Sequence, residues 1–386
     1  MNNKNILLHL SLIDGVSAAT IAMVLNNKPN ALDLCDMYNM SQKDLMHLFG
    51  LSQTSATTLT TGLTDTKSLA NELALIDKYN IQWATTICPM YPALLKNIHM
   101  MPPVIYWQGA TPNNEKSVAF VGSRKANSYA QTVISTLVPP LVNYGYTIVS
   151  GGALGADAMA HQAALQAGGK TVVVLGSGVL RPLPHTNKKL FENIIMNGGT
   201  ILSAFPAQTE ALPYNFPERN RIISGLSRGT VVVQAAAKSG TSITARFALD
   251  QGRDVFAVPG SIYDELSVGC HALIAQGAKI TTHAHDILRE FGEVVPEEKK
   301  SEPHSNTRSA AKSKTNTDSH LQTPVFEAPA PDNSPKGIVL QACAQPSSVD
   351  DLIDKTGLDV FKLNELLFDL RIEGKINQSF TGMWSI

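Results

Sequence analysis

The chain has 386 residues, 44% of them apolar and 16% charged, which is enough for two or three domains with cores of their own. Its longest apolar runs, such as Val172 to Leu175, fall far short of the ~20 residues of a membrane helix, and its start, an apolar patch broken by His9 and Asp14, has no small-residue cleavage site. The expectation is therefore a cytoplasmic protein with neither membrane segment nor secretory signal. The near balance of 31 basic and 32 acidic side chains hides a division: residues 1–111 carry a net −1, 112–292 a net +4 and 293–386 a net −4, so the middle is where a polyanionic partner is to be sought.

Residues 1–66 read as helical, with Leu7, Leu8, Leu10 and Leu12, then Ile21, Val24 and Leu25, then Leu45, Leu48 and Phe49 on apolar faces. Asp14-Gly15-Val16-Ser17 and Phe49-Gly50-Leu51-Ser52 each stand between two helical patterns. They resemble the turn of a SAM or helix-hairpin-helix element that presents amides to a phosphate, and a plain αα-hairpin uses the same glycines. Next, residues 67–293 alternate short β-branched runs with Gly-rich turns and helical patterns, as a mostly parallel sheet wrapped by helices does. Strands are expected near Ser117–Val121, Tyr146–Val149, Thr171–Leu175, Thr200–Ser203, Thr230–Val233 and Asp254–Val258, with Ile81–Thr85 and Val104–Trp107 extending the sheet. The helix drawn from Ser128 to Asn143 contains Pro139-Pro140 and is expected to end or kink there, because an interior proline costs ~3 kcal/mol. From 294 to 335 the composition turns to Pro, Ser, Thr, Lys and Glu, which predicts a disordered linker. Residues 336–386 read as three helices and a hairpin, the order of a winged helix.

Two strand-to-helix turns carry the residues a phosphate needs, since glycine lets backbone amides crowd an anion at a helix start. One is Gly122-Ser123-Arg124, whose arginine adds a fork of donors; the other is Ser150-Gly151-Gly152 through Gly155, with Asp157 after it. A third segment, from Asn215 to Ser227, sets Phe216 beside Arg219, Asn220 and Arg221, the pairing that stacks a base and holds its phosphate. Alternatively, Phe216 is core, and Arg219 and Arg221 are held by internal acids such as Glu218 or Asp157.

GSRKANSYA, SGGALGADAMAH, PLPHTNKKL, NFPERNRIISGLS, AAAKSGTSITARFALDQGRDVFAVPG and SVGCHALIAQGA stand in the order and spacing of the DNA-processing protein A family (DprA, also called Smf), which the chain resembles from about Tyr91 to Ala278. The resemblance implies an extended Rossmann-like sheet flanked by a small helical domain and a winged helix. It also implies a protein that binds and protects single-stranded DNA and loads the RecA recombinase onto it during natural transformation, as a homodimer and without catalysis or cofactor. Carried over by motif, Arg124 is the phosphate-holding arginine, Phe216 the aromatic against which a nucleotide packs, and Lys188 a DNA-contacting lysine. Arg219, Asn220 and Arg221 form the Arg-Asn-Arg core, and Ser239-Gly240-Thr241 is a further amide-donating turn. The chain departs from the family pattern at Leu154, where a basic residue is usual, and at Leu212 to Asn215, where one commonly precedes the phenylalanine. Ala204, Gln234 and His271 are departures as well. Fewer positive charges predict weaker and less salt-sensitive DNA binding.

A rival reading is a Rossmann-like nucleotide-binding or nucleotide-hydrolysing enzyme. It lacks its carboxylate, since Ser239-Gly240-Thr241 is followed by Ser242 and Ile243 with no acid until Asp250, and no Gly-x-Gly-x-x-Gly follows the first strand. Metal is not expected: Cys35, Cys88, Cys270 and Cys343 stand far apart, and His283 and His285 would point to opposite faces of a strand. A sequence-specific regulator is disfavoured because residues 336–386 carry 5 basic and 7 acidic side chains, which repel phosphates, so a tethered protein-interaction module is expected there instead.

Overall fold

The computed structural model describes residues 2–112, 115–237, 239–295, 334–345, 347, 349–373, 375–378 and 384–385. It divides into two compact units, Met1–Lys300 and Ser301–Ile386. Helices Asn3–Leu12, Ala18–Asn27, Gln42–Phe49, Gln53–Gly62 and Thr66–Lys78 open the first unit, and each begins where a side chain supplies a cap: Asn2, Ser17, Ser41, Ser52 and Asp65. They close over Ile6, Leu10, Val24, Phe49 and Leu59. Gly50 ends its helix in the left-handed region at φ +69°, donating to the Met46 carbonyl, while Ser17 and Ser52 accept the amides of Thr20 and Ser55 at 3.1 Å. Serine thus caps a helix in both turns, and glycine does so in the second. The expected division after residue 66 meets the start of helix Thr66–Lys78, which packs Leu69 and Ile76 with Leu8 of the first helix and with Val104 and Tyr106 of the sheet.

Nine strands follow: β1 (Gln82–Thr85), β2 (Val104–Gly109), β3 (Ser117–Val121), β4 (Thr147–Ser150), β5 (Thr171–Val174), β6 (Thr200–Ser203), β7 (Gly229–Val232), β8 (Asp254–Ala257) and β9 (Lys279–Ile280). Their order is β1-β2-β6-β5-β4-β3-β7-β8-β9; β2 runs against both its neighbours and every other pair is parallel. Side chains alternate between two cores, Ala119 and Val121 entering one and Val118 and Phe120 the other, so both faces are covered and the strands read as continuous apolar runs. After β3 the chain winds outward through β6 and then returns to the other side of β3 as β7. That reversal leaves a crevice beyond the carboxyl ends of β3 and β7, the usual ligand position in such sheets.

Helix Ser128–Asn143 does not end at its prolines. Ile134, Leu137, Val138 and Leu141 bury its inner face, and the carbonyls that Pro139 and Pro140 leave without a helical donor belong to exposed Ser135 and Thr136, open to water. The second unit holds helices Pro335–Ala342, Val349–Thr356 and Val360–Ile372 and the antiparallel pair β10 (Asn377–Gln378) and β11 (Trp384–Ser385), closed over Val339, Leu352, Leu367, Ile376 and Trp384. Residues 296–333, most of the expected linker, lie outside the described residues.

Candidate nucleic-acid interface

Three turns meet in the crevice because their backbones touch. Gly122 follows β3 where a Cβ would stand 2.6 Å from that of Ala156, and the Ala156 amide donates to the Ser123 carbonyl at 3.1 Å. The Ser123 amide in turn donates to the Gln234 carbonyl after β7 at 2.8 Å. Gln234 is fully buried, and its side chain completes the joint: Oε1 accepts the Asn127 amide at 3.2 Å, and Nε2 donates to Asn127 Oδ1 at 3.0 Å and Asp264 Oδ2 at 3.2 Å. Both ends of the segment carrying Arg124 are therefore tied to one residue.

A cavity of about 270 Å³ opens here, lined by Gly122, Ser123, Arg124, Asn220, Ser239, Gly240 and Thr241. Helix Gly240–Asp250 starts at its edge with Ser239 extended and making no side-chain cap, which leaves first-turn amides and the positive end of the helix dipole facing the space. Arg124 is exposed at the mouth. Arg219 and the buried Asp157 line the cavity too, and amides, dipole and two guanidinium groups against that one carboxyl favour an anion.

The adjoining cavity, of about 350 Å³, shares Arg124 and Arg219 with the first and is otherwise lined mainly by Leu154, Leu183, Pro184, Ala211 and Phe216. Phe216 is half-buried at the start of helix Asn215–Gly225, with the guanidinium carbons of Arg124 and Arg219 at 5.6 and 5.7 Å from its ring centroid. Its ring lies against Gly176, where a Cβ would come within 3.2 Å. Arg219, 6% exposed, threads inward to donate to the carbonyls of Gly151 and of Val174, the latter at 2.7 Å. Beneath it, burial holds the Asp157 carboxyl above its usual value against the pull of Arg219, while its Oδ2 accepts the Ala153 amide at 3.2 Å. One helical turn on, His161 is fully buried and its imidazole is pushed down to about 3 by burial and then by Arg219.

Of the residues singled out from sequence, Gly122, Ser123, Arg124, Asn220, Ser239, Gly240 and Thr241 surround the first cavity, and Gly151, Phe216 and Arg219 reach the second. The remainder of the second glycine turn faces inward: Ser150 is fully buried and donates to the Phe120 carbonyl at 2.6 Å, Gly152 leaves 2.7 Å for a Cβ beside Val173 at φ +68°, and Gly155 serves the contact with Ser123. Lys188 is exposed, 4.0 Å from Glu192, and lines neither cavity. Arg221 is directed elsewhere, pairing with Glu218 at 2.7 Å and donating to the carbonyls of His99, at 2.8 Å, and Met100. Sequence reasoning passed over Asn187, whose amide donates to the Gly152 carbonyl at 2.9 Å and fixes the inner turn, and Leu183 and His185 of the second cavity. Their one sequence signal was the run PLPHTNKKL.

The family model of DNA recombination-mediator protein A matches residues 82–292, over half of the chain. The chain belongs to this family. Among its relatives, the DNA processing protein DprA of Streptococcus pneumoniae is 43% identical over 202 residues, 52% of this chain and 71% of that protein. Protein Smf of Synechocystis is 34% identical over 316 residues, 78% of each. The X-ray structure of the pneumococcal protein superposes with a TM-score of 0.64 at 33% identity, covering 75% of this chain and 99% of that one. The match to the DNA recombination-mediator protein A model takes in β1 through helix Ala284–Glu290 and so contains both cavities.

Proposed function

We propose that this protein is a cytoplasmic recombination mediator that binds and protects single-stranded DNA and loads a RecA-type recombinase onto it during natural transformation. The observation that carries the reading is the pairing of an anion cavity with an aromatic, apolar cavity across two shared arginines. A phosphate over Gly122–Arg124 and the Ser239–Thr241 turn leaves the attached base free to stack on Phe216. Stacking is worth ~1–3 kcal/mol per base and needs unpaired bases, so strand form rather than sequence dominates the selection. The Streptococcus pneumoniae relative is a DNA processing protein, which fits the same class of substrate.

Dimerisation extends this reading: at the sheet edge, β9 leaves Ile280 exposed, with Ile262, Tyr263 and Val268 exposed in the segments after β8, and equilibrium sedimentation of an Ile280→Asp variant tests it. The domain assignment is likewise proposed: a helical region over 1–66, a DNA-binding domain over 67–293, a linker over 294–335 and a winged helix over 336–386 acting as a protein-interaction module. No catalytic step is included, since Asp157, the acid on the wall of the anion cavity, is buried and committed to the Ala153 amide.

Fluorescence anisotropy of labelled oligothymidine and a matched duplex over a salt series, with wild type beside Arg124→Ala, decides the matter. Tight single-strand binding that Arg124→Ala weakens about tenfold, the ~1.4 kcal/mol of a charge-assisted contact, supports the proposal. Absence of binding to either form at low salt overturns it and turns attention to free nucleotides. RecA filament formation on the bound strand is the next measurement.

A further inference from the structure

The second cavity has a chemical bias that strand-form selection does not account for. Of its polar side chains, Ser177 already donates to the Arg181 carbonyl at 2.7 Å, Arg219 is engaged with the carbonyls of Gly151 and Val174, Arg124 stands at the mouth shared with the anion cavity, and His185 is exposed at the rim. The rest of its wall is mainly aliphatic, from Leu154, Leu183, Pro184 and Ala211. Leu154 is unusual in its setting. It is 48% exposed, a large apolar side chain left partly in water on a turn beside a cationic site, at the rim of the space that Phe216 faces. Leu183, also on that rim, is 38% exposed. Such a pair gains free energy only when a ligand removes it from water, and the ligand group suited to it is itself apolar.

We propose that Leu154, with Leu183, makes this cavity a sensor of the methyl group at C5 of a pyrimidine, so that it prefers thymine to bases lacking that methyl. The inference rests on the single-strand reading above and adds a specificity to it. With the phosphate held by Arg124 and the ring stacked on Phe216, the atoms of the base remote from the sugar face the aliphatic wall, and in thymine one of them carries a methyl. Burying one methyl there favours binding about threefold to fourfold per occupied pocket. Leu154 is a specificity residue, and the anion contacts work without it.

The test compares oligothymidine with oligodeoxyuridine of equal length, which differ only in that methyl, by competition anisotropy against the full-length protein. A second pair, oligodeoxycytidine with and without the 5-methyl group, separates a methyl effect from recognition of the thymine edge. The expected result is a preference of about threefold or more for the methylated member of both pairs, falling to about one in Leu154→Ala whatever happens to its absolute affinity. That loss of the ratio separates the pocket from the general gain in stacking that a methyl brings. Equal affinities in wild type, or a preference that survives Leu154→Ala, overturn the inference while leaving single-strand binding intact. If no oligonucleotide binds at all, the single-strand reading fails and this inference with it.

Discussion

Two glycine-rich turns follow neighbouring strands of the same sheet and read alike in the sequence, yet the first sets its arginine in solvent while the second begins in the interior and reaches the surface at Leu154. After β3, Gly122-Ser123-Arg124 turns outward and leaves its arginine in solvent; after β4, Ser150, Gly151 and Gly152 turn inward, where Arg219 occupies the space beside Gly151. Glycine therefore marks a close approach without saying what approaches. At Gly122 the neighbours are the Ala156 methyl and the Gln234 backbone, with an anion cavity beyond; at Gly151 the neighbour is a guanidinium from helix Asn215–Gly225.

The largest loss is expected at Arg219. Arg219→Ala leaves Asp157 buried beside nothing cationic and strips the Gly151 and Val174 carbonyls of their donor, so urea unfolding should show a loss of about 3–5 kcal/mol, with DNA binding lost through the fold. Arg124→Ala, on the outward turn, should leave the unfolding midpoint unchanged while affinity falls about tenfold, and the slope of log affinity against log salt should drop by about 1. Gln234→Glu sharpens the contrast by disturbing the outward turn from below: its carboxylate would face that of Asp264 at the position where an amide now donates at 3.2 Å. The variant should acquire a pH-dependent affinity, better below neutral where the two acids share a proton, and a flat profile would remove Gln234 from the positioning of Arg124.

His161 gives a graded effect under the inward turn, absent at neutral pH. Its folded value of about 3 lies below the ordinary one near 6.5, so the unfolded chain takes up a proton that the folded chain refuses. Stability is therefore undiminished above the ordinary value and lost as pH falls from it toward 3, by about 1.4 kcal/mol per unit. His161→Gln should remove that part of the acid slope in thermal melts from pH 7 to pH 4. Smallest of all, Lys188→Ala should change affinity no more than about twofold, because its ammonium lies in solvent outside both cavities.

The sheet was legible because β3 to β8 are buried on both faces and declare themselves as β-branched runs between turns, leaving only end shifts of a residue or so. β9 has two residues and no such run, so only its pairing with β8 reveals it. Within the site, residue types were easier to read than directions. Arg219 and Arg221 look equivalent in Arg-Asn-Arg, but residues two apart on a helix point about 200° from one another, so they do not line one cavity. The structure sends one beneath the anion site and the other toward residues 99–100. Gln234 stood out as a departure, but the joint it makes depends on Asn127 and Asp264, residues about 107 and 30 positions away along the chain.

Helix Asn215–Gly225 spans eleven residues and is gripped at both of those contacts. Phe216 and Arg219 belong to the two cavities, whereas Glu218 and Arg221 line a hollow shared with Val16, Ala18 and Ile21 of the amino-terminal helices. The helix that carries the stacking platform therefore also walls a hollow bordered by the amino-terminal region, although no residue of that region lines either cavity.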